Sequence, residues 1–243
     1  MKVLLFIYQW CIAAPIIVVA TIIVALATII GSYLGSGTWW GYHPPRLWGK
    51  LFCLLMFVRV TVSGSENIDK KTSYVFIANH QGAYDIFSIY GYLNHNFRWM
   101  MKKSLGNIPF VGSACKVSGQ IFVDNKSASG VAHTMQEAKE RLKQGLSLVV
   151  FPEGARSWTG KMRPFKRGAF KLAIDFNLPI VPVTIDGSFK VMPRTTYLIK
   201  PGHIHLTIHK PIDINADNID AVMEESYKVI ESALPDCEKI NTK

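Results

Sequence analysis

The chain has 243 residues, 49% of them hydrophobic, and its 27 Lys and Arg against 17 Asp and Glu give a formal charge of +10. That length holds one well-buried domain plus an appendage and excludes two large domains. The charge favours anionic partners, whether nucleic acid, an anionic membrane face or phosphorylated small molecules; the crowding of apolar residues at the N-terminus selects the membrane, with no nucleic acid as partner.

From Val3 to Ile30 the chain is apolar apart from Gln9, Pro15, Thr21 and Thr28, which exceeds the ~20 residues a helix needs to cross a bilayer. A cleaved signal is the competing reading. Its apolar core runs for only about 7–15 residues, and here the run continues past Ala25-Leu26-Ala27, which imitates a cleavage site. Pro15 is expected to kink or divide the helix, because its ring removes a donor and crowds the preceding turn. Gly31 and Gly35 have a spacing that lets two helices approach closely, a weak pattern alone. Trp39, Trp40, Tyr42 and Trp48, with Pro44-Pro45, have the composition of a headgroup layer. Leu51 to Val58, between Lys50 and Arg59, is too short to span and reads as a helix in the interface. Apart from Lys2 every Lys and Arg lies at or beyond Arg46, so the positive-inside bias puts the rest of the chain on the cytoplasmic side, the inner-membrane face if the source is bacterial.

Residues 1–58 therefore read as a membrane-embedded helical anchor that either spans or dips into one leaflet, and residues 59–243 as an α/β domain. A chain starting near Arg59 is expected to fold by itself, since the sheet motifs all lie downstream. Cys11, Cys53, Cys115 and Cys237 show no C-x-x-C spacing and fit a reducing compartment. Asn125-Lys126-Ser127 has the form of a glycosylation acceptor, a chance match in a cytoplasmic domain.

Beyond residue 60 the runs Ser73 to Ala78, Gly119 to Asp124, Leu146 to Phe151 and Leu178 to Ile185 read as short strands rich in β-branched and aromatic residues. Helices are expected over Ser127 to Gln144, with Ser127 or Ser129 as N-cap and Gly145 ending it, over Lys166 to Phe176, and over Ala216 to Leu234. The alternation implies an α/β fold, a mostly parallel mixed sheet flanked by helices.

Asn79-His80 should then emerge at the carboxyl end of a buried strand, the edge where open α/β sheets collect ligands. Asp85 lies near the start of the next helix, and a turn containing Gly82 can fold it back beneath the imidazole. A carboxylate on Nδ1 fixes the tautomer and leaves Nε2 to take a proton. That is the base and orienter of a triad without its nucleophile, since no G-x-S-x-G occurs and no cysteine is arranged as a partner. The substrate would supply the nucleophile, such as a hydroxyl. Taken alone, a turn histidine bonded to a nearby aspartate is also ordinary packing.

The stretch Phe151 to Phe170 again follows a buried run, so it should share that sheet edge. Glu153-Gly154 gives a tight turn, Arg156 offers a planar fork of donors for a phosphate, and Ser157 adds a hydroxyl. Lys161, Arg163, Lys166, Arg167 and Lys171 read for the most part as a solvated or anionic-lipid face. His203, His205 and His209 would share one face of a strand; metal binding competes there with a plain exposed polar face, and no carboxylate or cysteine completes a ligand set nearby.

Asn79-His80-x4-Asp85, the block Lys102 to Gly112 followed by Gly119 to Asp124, Glu153-Gly154-Ala155-Arg156-Ser157 and the strand around Val181-Pro182-Val183 occur in that order. In these the chain resembles the glycerolipid acyltransferases, most closely the bacterial 1-acylglycerol-3-phosphate acyltransferases. The chain departs from that pattern at Asn125, where arginine is common, and at Ala155, where threonine is usual. The resemblance implies transfer of an acyl group from an acyl thioester, acyl-ACP or acyl-CoA, to a lysophospholipid hydroxyl among membrane lipids, giving phosphatidate. His80 would act as base, oriented by Asp85; Arg156, helped by Lys102, would hold the acceptor phosphate, and Glu153 and Gly154 would shape the turn presenting Arg156. No metal or cofactor is required. The alternatives are acylation of another lysolipid or an amine-bearing lipid, or a non-catalytic lipid-binding protein with the same fold.

Overall fold

The computed structural model describes residues 2–124, 127–214 and 219–235, so the expectations placed on Asn125 and Cys237 lie outside the described residues. The chain opens with helices α1 (Lys2–Tyr8) and α2 (Ala14–Leu34), joined by a π turn over Gln9–Ala13. Pro15 has no N–H for the carbonyl four residues back, and just before it the ladder widens so that the Ala14 N–H reaches the Gln9 carbonyl. Pro15 thus modifies the helix without ending it. Val3–Leu34 is one helix long and apolar enough to cross a membrane. Its outer face exposes Leu4, Phe6, Ile7, Val19 and Ile23, while Ala13, Ala25 and Thr28 are buried.

The small pair Gly31 and Gly35 receives a ring of the same chain. A Cβ at Gly31 would lie 2.0 Å from the Trp40 ring, so the short helix α3 (Gly37–Trp40) folds back onto α2. Helix α4 (His43–Leu55) follows, and at Phe57, with φ of 54°, the chain turns into strand β1 (Val58–Ser63). The stretch Leu51 to Val58 is therefore the end of one helix and the start of a strand, and the single interfacial helix expected there is corrected to this.

The remaining elements are β2 (Val75–Ala78), α5 (Tyr84–Tyr92), β3 (Phe97–Lys102), α6 (Val111–Val117), β4 (Ile121–Val123), α7 (Ala128–Lys143), β5 (Ser147–Val150), α8 (Gly168–Asp175), β6 (Ile180–Asp186), α9 (Ser188–Val191), β7 (Gly202–Ile208) and α10 (Ile219–Ser232). Ser127 caps α7 by accepting the Gly130 N–H at 3.0 Å, and Gly145 follows that helix at φ of 74°. The strands form one sheet in the order β1-β7-β6-β2-β5-β3-β4. All neighbours are parallel except β6 and β7, which makes the sheet mixed and mostly parallel as expected. β2 and β5 are buried at every position, which explains their unbroken apolar runs.

One core lies on each face. The first packs α5 and the sheet against Ala13, Tyr42, Cys53 and Met56 from the N-terminal helices. The second packs α7, α8 and α10 on the opposite face. The N-terminal segment is further fixed by Arg98, which is 1% exposed and donates to the carbonyls of Gly37, Thr38, Phe97 and Ser118. Burial lowers its pKa to about 10, so it stays charged at neutral pH.

Because α4 covers part of the first core, with Trp48 on Tyr90 and the Tyr84 hydroxyl on the Phe52 carbonyl, a protein beginning at Arg59 would expose Tyr84 and Tyr90 to water, in contrast to the independent folding expected from sequence. We expect it to lose cooperative thermal unfolding and to bind a hydrophobic dye. The full chain in detergent should show a single transition and bind little dye.

Candidate active site

β2 and β5 are parallel neighbours, with Phe76 opposite Val149, so the segments leaving their carboxyl ends share one edge. The first residue past β2 is Asn79, fully buried, whose side chain donates to the Ile185 carbonyl at 2.9 Å and accepts the Ile185 N–H at 2.7 Å. This amide continues the β2–β6 pairing one step beyond the strand and brings the next residue out at a fixed angle. Gly82 then lets the turn pass close to its neighbour, since a Cβ there would stand 2.5 Å from the Ser188 carbonyl oxygen.

That turn puts Asp85, in the first turn of α5, under His80. Asp85 Oδ2 lies 2.8 Å from His80 Nδ1 and accepts the N–H groups of Gln81 at 2.7 Å and Gly82 at 2.9 Å. An oxygen already accepting two backbone donors is the acceptor for the third contact as well, so Nδ1 donates. Nε2 makes no hydrogen bond to the described residues. The imidazole stacks on Phe151, with centroids 3.9 Å apart and planes 7° apart, and Phe151 stacks in turn on Trp99. Phe151, the first residue after β5, sets the ring's plane; sequence reading treated it only as the end of a strand.

Glu153 is 2% exposed and turned inward. Its Oε1 accepts the His80 N–H at 2.7 Å and its Oε2 the Arg163 N–H at 2.9 Å, while the Ser157 N–H returns to the His80 carbonyl at 2.8 Å. Burial pushes the carboxyl up to about 7, against the two backbone bonds that lower it. Gly154 takes the left-handed conformation, φ 74°, and a Cβ there would meet Lys166 Nζ at 2.8 Å. The Ser157 hydroxyl, expected near a phosphate, is instead taken up by its own turn, accepting the N–H groups of Thr159 and Gly160.

His80, Lys102, Gly154 and Lys166 line a cavity of about 690 Å³ whose walls are otherwise mainly apolar and reach back to Thr21 and Val24 of α2 and Trp48 of α4. Lys166, assigned from sequence to a solvated face, is thus part of the site. The signal available for it was its place after the Glu153-Gly154 turn, whose Pro152 carbonyl accepts the Lys166 N–H. Arg156, on the same loop as Gly154, is not among the residues that line the cavity. Among the described residues, no carboxylate pairs with Lys102, Arg156 or Lys166, whereas Lys103, Lys139 and Arg167 are all paired.

Cys115 also lines the cavity, but burial pushes its thiol up to about 11, so it is a poor nucleophile at neutral pH. The three histidines do not converge. His203 and His205 bond Thr61, whereas His209 lies past β7 and meets Thr184. The described residues contain no group of three or more metal-capable side chains.

The acyltransferase family model matches residues 59–186. A 1-acyl-sn-glycerol-3-phosphate acyltransferase from Chlamydomonas reinhardtii is 31% identical over 183 residues, 74% of this chain and 54% of that one. Its counterpart from Saccharomyces cerevisiae is 32% identical, covering 84% of this chain and 68% of the relative. The crystal structure of the 1-acyl-sn-glycerophosphate acyltransferase PlsC from Thermotoga maritima superimposes with a TM-score of 0.79 at 27% identity, over 95% of each chain. The chain spans about half the length of the algal and chloroplast relatives it matches.

The Glu153 carboxyl gives a pH-dependent expectation. Between its ordinary value of 4.5 and the folded value of about 7 the native protein holds a proton that the unfolded chain releases. Its contribution to stability is therefore greatest below pH 4.5 and falls as pH rises to 7, by at most about 3 kcal/mol. Glu153→Gln should remove that fall while lowering stability by about 1–3 kcal/mol at pH 4.5, because one backbone N–H loses its acceptor. Denaturant unfolding of both proteins across pH 4.5–8 measures the difference.

Proposed function

The chain belongs to the acyltransferase family, and from that footing we propose that it transfers a fatty acyl group from an acyl thioester to the sn-2 hydroxyl of 1-acylglycerol-3-phosphate, forming phosphatidate. The observation that carries the reading is the His80 imidazole with Nδ1 on Asp85 and Nε2 without a partner among the described residues, lining a largely apolar cavity together with Lys102 and Lys166, which form no ion pair with the described residues. A lipid-binding module has no use for an oriented base.

On this reading the acceptor hydroxyl gives its proton to His80 Nε2 as its oxygen attacks the thioester carbonyl carbon. The tetrahedral intermediate collapses, the C–S bond breaks, and the imidazolium returns the proton to the departing thiolate. The imidazolium forms against the Asp85 carboxylate, which stabilises it. Direct transfer fits a site in which the cavity's cysteine stays protonated. Arg156, with Lys102 and Lys166 near the cavity mouth, would hold the acceptor phosphate and so fix the hydroxyl against His80. The acyl chain would occupy the apolar cavity. The donor is acyl-ACP or acyl-CoA.

We place residues 1–58 in the membrane and residues 59–243 on its cytoplasmic face. The N-terminal helix is tied to α4 by Tyr8 on the Leu55 carbonyl and Trp48 on Thr21, and to the domain by Gln9, which bonds the backbone of Tyr197 and Ile199. A helix held against the domain in this way, with an apolar outer face, suits burial in one leaflet better than an independent crossing.

His80→Ala should lower turnover by about 10²–10⁴ with little change in acceptor KM, and Asp85→Asn should lose most of that through the wrong tautomer. Steady-state assays and a chemical quench for an acyl-enzyme test this; a trapped acyl-enzyme would refute direct transfer. Arg156→Ala should raise the KM for lysophosphatidate and cut kcat/KM, leave the donor KM nearly unchanged, and be only partly rescued by Arg156→Lys. An equal loss on lysophosphatidate and a neutral acceptor would make Arg156 structural and remove the support for phosphatidate as product.

A further inference from the structure

Arg194 lies in the segment between α9 and β7, and no motif marks it. Its guanidinium sits over the Trp158 ring, 4.2 Å from the centroid, and its Nη1 approaches the Arg156 carbonyl at 3.5 Å. Trp158 is 59% exposed. An indole left this open contributes little to the core, yet it supplies a flat face on which a guanidinium is attracted and held. A guanidinium held over a ring spends none of its five N–H donors on that contact, and only Nη1 is engaged by the Arg156 carbonyl among the described residues.

No carboxylate among the described residues pairs with Arg194 or with Arg156. The two arginines stand on adjoining loops, joined by the contact of Arg194 with the Arg156 carbonyl, and an anion reached by both would be held more tightly than by either alone. The segment is also fastened at both ends. The Met192 carbonyl accepts the Ala83 N–H at 3.3 Å, tying it to the turn that carries His80. Farther along, Gln9 of the anchor's π turn donates to the Tyr197 carbonyl at 2.6 Å and accepts the Ile199 N–H at 3.0 Å. Arg194 is therefore held relative to both the base and the anchor helix, which a loosely tethered surface arginine would not be.

We propose that Arg194, held over the Trp158 ring, is a second phosphate-binding guanidinium that fixes the anionic head of the acceptor together with Arg156, and that Trp158 is its positioning residue. This rests on the phosphate-bearing acceptor proposed above. A phosphomonoester offers three oxygens, enough for one planar fork from each arginine.

The test uses the full chain in detergent micelles, with acceptor and donor varied separately. Arg194→Ala should raise the KM for lysophosphatidate about tenfold, as loss of one charge-assisted contact does. The kcat at saturating acceptor and the donor KM should each stay within about twofold, and acylation of a neutral monoacylglycerol should not fall further. Arg194→Lys should recover part of the loss. Trp158→Ala should raise the same KM by about threefold, and Trp158→Phe, which keeps a ring face, should lie closer to wild type. A rise confined to the donor KM would assign Arg194 to the donor's phosphates and overturn the proposal. Equal losses on both acceptors, or no change in KM, would overturn it as well. Wild-type protein that shows no preference for lysophosphatidate over monoacylglycerol would instead overturn the acceptor assignment itself, a result read without any variant, and this proposal would fall with it. Both residues are exposed, so thermal unfolding should match wild type and exclude misfolding as the cause.

Discussion

The buried carboxylate of Glu153 is the constraint on which the site depends. One oxygen holds the backbone N–H of His80 and the other holds that of Arg163, so one side chain joins the segment leaving β2 to two points of the loop leaving β5. Ser157 completes the closure by donating to the His80 carbonyl. The backbone of His80 is thereby fixed at both its polar groups by residues of a single loop. Only then does the five-residue step to Asp85 set the imidazole in one orientation. Burying a carboxylate opposes folding even with two backbone donors and the Arg163 charge in its favour, and the upward shift of its pKa records that cost. The return is an imidazole whose position follows from the main chain more than from side-chain packing.

The same logic explains why the N-terminal helices belong to the site and are more than a tether. The cavity at His80 has one wall from β3, β5 and the loops after them, and another from α2 and α4. Arg98 ties the turn between α2 and α4 to the sheet through the carbonyls of Gly37 and Thr38, and Gln9 ties the π turn to the segment preceding β7. Both are polar side chains used where apolar contact alone would allow the helix to slide, since hydrogen-bond direction fixes register and dispersion does not. On the proposed reaction, an acyl chain drawn from the bilayer side would therefore meet a wall whose position relative to His80 is set.

Much of this was legible in the sequence, and the limits have physical causes. β2, β5 and β6 announced themselves because central strands of a mostly parallel sheet are apolar on both faces, and His80, Asp85 and the Glu153 loop were found because each follows such a run. β1 and β3 were missed. β1 is an edge strand whose Arg59, Thr61 and Ser63 alternate with apolar residues, and β3 carries Arg98, which as a sequence symbol argues against burial. The roles of Glu153, Lys166 and Ser157 turned on which way each side chain points after a tight turn, and no spacing rule encodes that. Glu153 turned inward to backbone donors, Lys166 reached the cavity across Gly154, and the Ser157 hydroxyl closed its own turn. Arg194 was invisible because its partner, Trp158, lies 36 residues away in the chain and meets it only in the fold.

The net charge of +10 acquires meaning from how the carboxylates are distributed. Away from the site, bases and acids pair in the ordinary way, as Lys139 with Asp175, Arg167 with Asp220 and Lys228 with Glu224. Beside the cavity, Asp85 and Glu153 are both turned inward and used, Asp85 on the imidazole and on backbone N–H groups, Glu153 on backbone N–H groups alone. Neither is left to neutralise Lys102, Arg156 or Lys166. A surface cation without a partner is well solvated and contributes little. Several of them at the rim of a low-dielectric cavity sum to a field that draws in an anion and strengthens once water is displaced. Inward use of the acids thus does two things at once: it orders the imidazole, and it leaves these cations without an ion-pair partner among the described residues, which on the proposed function suits them to an acceptor phosphate.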